Sequence, residues 1–148
     1  MKVFLTGATG FVGSRVLEQL LLAGHEITAL VRTNTAADKL KARGVVPVLG
    51  DLSSLDVIAR AAKEVDAVLH MAFIHDFKDY LGACKTDAAV SHAINAALAG
   101  EPRKQAFLQL EVLAATVRPG PVVAKCCCSP DLVQHHLECC CLLFSWQL

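Results

Sequence analysis

The stretch TGATGFVG, residues 6–13, sets three glycines three positions apart between two different patterns. Residues 2–6 have the apolar composition of a buried strand, and apolar residues recur at helical spacing from Phe11 onward. A helix that begins there directs unpaired N–H groups and the positive end of its dipole at the turn, which favours an anion. We predict that Gly7 permits the tight turn, Gly10 lets the backbone approach a pyrophosphate, and Gly13 lets the helix pack on the strand. The alternative is a plain glycine-rich turn.

Strand and helix patterns alternate along the first hundred residues. Strands are predicted at 26–32, 45–49 and 66–71 in addition to the first. Helices are predicted from Phe11 to a stop at Gly24, over 36–42, from a Ser54 cap to Lys63, and along Val90, Ile94 and Leu98 to a stop at Gly100. This alternation predicts an α/β fold, a doubly wound parallel sheet with helices on both faces. Residues 105–117 fit a fifth strand or a helix, and the pattern does not decide between them.

The spacing Thr6-Gly7-x-x-Gly10-x-x-Gly13 resembles the glycine loop of the short-chain dehydrogenase/reductase superfamily, in its extended or atypical, epimerase/dehydratase-like branch. GDL at 50–52 and VLHMAF at 68–73 continue the resemblance, which covers residues 1–104. It implies a Rossmann-like domain over 1–104 that binds a nicotinamide dinucleotide. The cofactor-binding residues that we predict are Thr6, Gly7, Thr9, Gly10, Phe11, Val12, Gly13, Arg32, Asp51, Leu52 and Ala72.

The residue that ends the second strand indicates which dinucleotide binds. An acid there would accept from the ribose 2′-hydroxyl of NAD, whereas an arginine would pair with the 2′-phosphate of NADP. Arg32 stands at this position, and the next acid is Asp38. We therefore predict NADP(H), with NAD as the alternative and an unliganded surface arginine as the plainer interpretation. By resemblance Asp51 and Leu52 flank the adenine, although Asp51 could equally be an acid at the start of a helix.

The catalytic pair that the family uses, a Tyr with a Lys four residues later, has no match. The single tyrosine, Tyr80, is followed at that distance by Cys84, and Lys85 falls on another helix face. Tyr80 is also expected before the long helix, whereas the family's tyrosine follows the fifth strand. We assign no catalytic residue, and we expect His70 only to pack at a strand end and His75 to have no role. Whether the chain is an enzyme is left open.

Residues 105–148 do not resemble the family. They form an atypical tail with six of the seven cysteines between positions 126 and 141. The Rossmann-like fold is thus predicted to be truncated, either because the tail is a replaced end or because it comes from an altered reading frame. Zinc is disfavoured because the ligand pairs of structural zinc sites, C-x₂-C and H-x₃-H, do not occur. Palmitoylation of the cysteines is a weaker alternative, and we expect no unique packing of residues 118–148 in the reduced monomer and no metal.

Composition excludes several classes of function. The 148 residues are 54% hydrophobic and 19% charged with a net charge of zero, which indicates a globular domain without a nucleic-acid-binding surface. No apolar stretch is long enough for a membrane span, so the cytosol is expected. The predicted partners are a dinucleotide and an unidentified small-molecule substrate. The predicted function is NAD(P)(H) binding in a chain that lacks the family's catalytic half, with a non-catalytic nucleotide-binding or interaction module as the alternative.

Overall fold

A computed structural model describes residues 1–76 and 78–99 together with the backbone of two later strands. Helices and strands alternate as the sequence predicts. In chain order they are β1 (Lys2–Thr6), α1 (Phe11–Leu22), β2 (Glu26–Val31), α2 (Asn34–Lys41), β3 (Val46–Leu49), α3 (Leu55–Lys63), β4 (Ala67–His70), α4 (Tyr80–Leu98), β5 (Ala106–Gln109) and β6 (Lys125–Cys126).

The strands form one sheet in the order β3-β2-β1-β4-β5-β6. The pairs from β3 to β5 are parallel, and β6 joins β5 in the antiparallel direction. The chain runs outward from β1 to β3 and then crosses back to β4 on the other side of β1. This reversal between β1 and β4 is the switch point of a doubly wound sheet, the place where such folds bind ligands. The predicted α/β, Rossmann-like fold is confirmed.

Alternating side chains of β1 supply the cores on both faces of the sheet. Val3 and Leu5 pack with Leu17 of α1 and Leu40 of α2, whereas Phe4 belongs to the core on the opposite face. That second core contains residues of α3 and α4, among them Ile58, Val90 and Ile94. Successive side chains of a strand point to opposite faces, so a strand with helices on both sides must be apolar throughout. This explains why the centre of β1, VFL at 3–5, is apolar on both faces.

At the starts of α2 and α3, the hydrogen bond of a hydroxyl group accounts for a difference from the prediction. Helix α2 begins at Asn34 rather than 36, because the Thr33 hydroxyl accepts a hydrogen bond from the Ala36 N–H at 3.2 Å. Ser54 does precede α3, but its hydroxyl bonds Asp51 instead of capping the helix.

Two further expectations from the sequence, on Tyr80 and on residues 105–117, have different outcomes. Tyr80 is the first residue of α4, so the expectation that it precedes the long helix is wrong. Residues 106–109 of the undecided segment are a strand. The remaining tail predictions concern residues outside the described ones, apart from the two residues of β6. Among the helices of the described part, none is long and apolar enough to cross a membrane.

Candidate functional site

The glycine turn joins the carboxyl end of β1 to the start of α1. Gly7 has a φ of +74°, the left-handed region that side chains other than glycine's rarely adopt. The Gly10 N–H donates to the Gly7 carbonyl at 2.9 Å and closes the turn. The structure therefore gives Gly7 the predicted conformation for a tight reversal at the switch point.

Gly7 and Gly13 also lie where a Cβ would collide with backbone. A Cβ on Gly7 would be 2.8 Å from the Ala72 nitrogen and from Met71, just beyond β4. A Cβ on Gly13 would be only 2.0 Å from the Gly7 carbonyl oxygen. Gly13 thus lets α1 approach the turn itself, rather than the strand as predicted. The absence of side chains at Gly7 and Gly13 lets the turn, the end of β4 and the first turn of α1 approach one another closely.

Gly10 differs from Gly7 and Gly13, because the outer side of this residue is not covered by other parts of the backbone. The nearest atom to a Cβ there is the Gly7 carbonyl oxygen at 3.2 Å, and the residue is exposed. Gly10 is the N-cap of α1 and supplies no side-chain cap. Among the described residues, the N–H groups of Phe11, Val12 and Gly13 have no hydrogen-bond partner. The arrangement is an exposed helix start with free donors and room for an anion against the backbone.

The Thr6 side chain lies behind this turn and does not reach its open side. Its hydroxyl is fully buried and accepts from the N–H groups of Met71 and Ala72 at 3.2 and 3.3 Å. Ala72 is half-buried and continues from β4 past the switch point. Thr9, Phe11 and Val12 are exposed beside the turn, Phe11 with 92% of its surface in solvent.

Arg32 follows β2 directly, at the same carboxyl edge of the sheet as the glycine turn. Its side chain is exposed and forms no ion pair with any residue that the structure describes. Asp38, the first acid after it, is paired with Lys41 at 3.7 Å. Arg32 therefore offers its guanidinium to solvent at the edge where the prediction requires it.

Asp51 lies in the loop after β3, which the Gly50 N–H ties to the end of β2 by a 2.9 Å bond to the Val31 carbonyl. One carboxylate oxygen, Oδ1, accepts from the backbone N–H and hydroxyl of Ser53 at 2.9 and 2.6 Å. The Ser53 hydroxyl, then its N–H, then the Ser54 hydroxyl lower the pKa of Asp51, so it is a carboxylate at neutral pH. Leu52 turns toward the core that α3 and α4 cover.

Two residues outside the predicted site prove to belong to its framework. His70 is 1% exposed, and its Nδ1 lies 2.5 Å from the Thr6 hydroxyl oxygen. Its Nε2 lies 3.2 Å from Asp87 of α4. The expectation that His70 only packs at a strand end was therefore incomplete. One signal was present in the sequence, because Thr6 and His70 are polar residues at the ends of two apolar strands. That they are register partners is seen only in the folded sheet.

Tyr80 lies close to the loop after β4 but not in the chemical setting of the family's tyrosine. Its ring centroid is 6.1 Å from that of Phe73, and its side chain is 37% exposed. A hydrogen bond with the Cys84 side chain, and then the electrostatic interaction with that group, raise the pKa of Tyr80. A neighbouring lysine would have the opposite effect.

A separate groove of about 560 Å³ lies under α3, lined by the first residues of β1 and β2 and by β3. It includes Lys2, Glu26 and Arg60 and no residue of the glycine turn. The groove therefore lies apart from the free backbone donors of the glycine turn.

Comparisons with known proteins agree with this geometry. A family model described as NAD(P)H-binding matches residues 7–109. An uncharacterized protein of Schizosaccharomyces pombe is 48% identical over 103 residues, which are 70% of this chain and 35% of that protein. The chain spans about a third of the length of the curated relatives it matches.

Solved structures show the same fold. The anaerobillin reductase ChuY of Escherichia coli O157:H7 is 28% identical with a TM-score of 0.53, over 66% of this chain and 46% of that one. The UDP-glucose 4-epimerase of Thermotoga maritima has a TM-score of 0.60 at 18% identity, over 74% of this chain and 37% of that one.

The same substitution at two glycines should have different effects on stability. Gly13→Ala forces a Cβ into the Gly7 carbonyl and should lower the free energy of unfolding by about 2 kcal/mol or more. Gly10→Ala meets only one contact and has an extended backbone, so it should change that free energy by less than about 1 kcal/mol. Urea unfolding of the two variants measures the difference. Equal stabilities would mean that the close approach of α1 to the turn is wrong.

Proposed function

The chain belongs to the NAD(P)H-binding family, within the epimerase/dehydratase-like part of the short-chain dehydrogenase/reductase superfamily, and we propose that it binds NADP(H) in preference to NAD(H). The observation that carries the proposal is that the N–H groups at the start of α1 are free and that Gly10, next to them, has no side chain on its open side. A pyrophosphate would accept from the N–H groups at the start of α1, and Gly10 would let it approach the backbone. The positive end of the helix dipole adds to this attraction.

Arg32 supports the choice of NADP(H). Its planar guanidinium matches a phosphate with two parallel hydrogen bonds, and no described carboxylate competes for it. Asp51 would accept from the adenine amino group through Oδ2, because its other oxygen already has three donors. Ala72, small and close behind the turn, would let the cofactor pass toward the nicotinamide end. Leu52 would support the adenine site from the core.

A nicotinamide cofactor supplies a hydride when it is bound, and the chain's own residues bind and orient it. The whole protein is proposed to act as a reductase or epimerase-type oxidoreductase on a small-molecule substrate, in the cytosol. Thr6, Thr9, Phe11 and Val12 complete the proposed cofactor site: Thr6 supports the turn from behind, and the other three surround its open side.

A second candidate function is nucleotide binding without turnover, and the state of Tyr80 favours it. Proton exchange by a phenol near neutral pH requires a lowered pKa, whereas Cys84 raises that of Tyr80. No Tyr-x-x-x-Lys pair occurs in the sequence. The two candidates share the same cofactor site and differ only in whether a hydride is transferred after the nucleotide binds.

Gly10→Val should abolish nucleotide binding while the domain stays folded, because the branched side chain would occupy the position proposed for the pyrophosphate. The extended backbone at Gly10 is one that valine adopts, and its Cβ would have one close neighbour, the Gly7 carbonyl oxygen at 3.2 Å. Ala23→Val is a matched control, since it adds the same side chain at the exposed far end of α1. Calorimetric or fluorescence titration with NADPH measures both. If Gly10→Val binds as tightly as the wild type, the proposed site is wrong.

Arg32→Ala should weaken NADP(H) binding about tenfold or more and leave NAD(H) binding unchanged, because a charge-assisted bond to phosphate contributes about 1.5–3 kcal/mol. Arg43→Ala is the control: Arg43 is also exposed but precedes β3, at the opposite edge of the sheet. Dissociation constants for both nucleotides decide the matter. A wild-type chain that prefers NAD(H) would reject the assignment.

Turnover distinguishes the two candidate functions. Under the second, the purified chain binds NADPH but does not oxidise it with a panel of aldehydes, ketones and sugar nucleotides, and Tyr80→Phe changes nothing. NADPH absorbance with product analysis is the measurement, and the Gly10→Val variant provides the blank. Turnover above that blank would favour the oxidoreductase, and loss of it in Tyr80→Phe would assign the proton transfer to Tyr80.

A further inference from the structure

A buried row of three polar side chains lies directly behind the glycine turn. The Thr6 hydroxyl and His70 are in contact between β1 and β4, and His70 continues the row to Asp87 on α4. Thr6 and His70 are 0% and 1% exposed. Burying polar groups is costly unless every donor and acceptor is satisfied, so the directions of these hydrogen bonds can be worked out.

The hydroxyl of Thr6 has one hydrogen to donate and two lone pairs to accept with. The N–H groups of Met71 and Ala72 occupy the lone pairs. The hydroxyl hydrogen must therefore go to Nδ1 of His70, which accepts only if it carries no hydrogen. The imidazole is consequently neutral with its hydrogen on Nε2, where it donates to Oδ1 of Asp87.

The row has the residue types of a Ser-His-Asp hydrolase triad but cannot act as one. A nucleophilic oxygen must be accessible to substrate, and the Thr6 oxygen is buried with all of its bonding capacity in use. The series of hydrogen bonds from Asp87 through His70 and Thr6 instead ends at the Ala72 N–H. The Thr6 hydroxyl accepts from the Ala72 N–H, and the Ala72 nitrogen is one of the backbone atoms that a Cβ on Gly7 would meet at 2.8 Å.

We propose that His70 and Asp87 are positioning residues of the nucleotide site: Asp87 selects the Nε2–H form of His70, and His70 orients the Thr6 hydroxyl so that its oxygen holds Met71 and Ala72 against the glycine turn. The inference rests on the proposed function, because it assigns the row to the cofactor site. It links α4 to the backbone after β4 through three side chains, and that backbone lies against Gly7 of the turn.

Two substitutions at Thr6 separate positioning from packing. Thr6→Val keeps the shape but leaves the Ala72 N–H without an acceptor, and the full chain should bind NADPH about tenfold more weakly. Thr6→Ser keeps the hydroxyl and loses a buried methyl, so it should bind like the wild type although it is less stable. A purely structural role predicts the reverse, with affinity following the stability measured by urea unfolding.

His70 and Asp87 allow the same comparison. His70→Asn places an amide oxygen near the position of Nδ1 and should keep NADPH affinity within about threefold, whereas His70→Leu should lose about tenfold. Asp87→Asn retains an oxygen acceptor for Nε2–H, and Asp87→Ala does not. In ¹⁵N NMR of the imidazoles, the signals missing from His70→Asn identify His70. These signals should show the Nε2–H form in the wild type and Asp87→Asn and a mixture of forms in Asp87→Ala.

The outcomes separate this inference from the function on which it rests. A wild-type chain that binds no dinucleotide overturns the proposed function and the positioning role together. Wild-type binding with undiminished affinity in Thr6→Val, or with His70→Leu equal to His70→Asn, overturns the positioning role alone. An Nδ1–H form of His70 in the wild type overturns the assigned direction of the hydrogen bonds, and with it the inference.

Discussion

The structure depends on two close backbone contacts, at Gly7 and Gly13, that leave no room for a side chain. Gly7 lies against the backbone of Met71 and Ala72, and Gly13 lies against the Gly7 carbonyl, at distances that exclude a Cβ from either glycine. Real Cβ atoms do not approach backbone this closely, so another residue at either position would push α1 or β4 away from the turn. The contact brings the end of β1, the end of β4 and the start of α1 to one point, and this point is the switch point of the sheet.

The same close approach creates the chemistry of the site. A helix that begins at an exposed glycine has no side-chain cap, so its first N–H groups stay free. On the inner side, the backbone N–H groups that come after β4 also need acceptors, and there the buried Thr6 hydroxyl provides one. The inner donors are thus satisfied, and the outer ones stay free for a ligand because the start of α1 has no side-chain cap. His70 and Asp87 matter because they complete the hydrogen bonds of the buried Thr6 hydroxyl on this inner side.

Much of this could be predicted from the sequence because it is local. Alternating apolar runs and helical patterns predicted the four helices and the parallel strands, and the glycine spacing predicted the turn and the family. The predicted start of α2 was wrong because a single hydrogen bond, at Thr33, decides it. The predicted bounds of α3 were right, but the Ser54 hydroxyl bonds Asp51 instead of capping the helix. That the site residues bind a cofactor stays a prediction, although the structure puts Arg32 and the glycine turn at one edge of the sheet.

By itself, the sequence determined the α/β class, the place of the glycine turn and the absence of a Tyr-x-x-x-Lys pair, because each depends on neighbours within a few positions. Only the tertiary structure decided that Gly13 packs on the turn and that His70 joins Thr6 to Asp87. Thr6 and His70 are 64 residues apart in the chain. Their contact exists because β1 and β4 pair in a register that puts both last residues side by side. A register follows from the packing of all the strands and helices together, and no short stretch of sequence contains it.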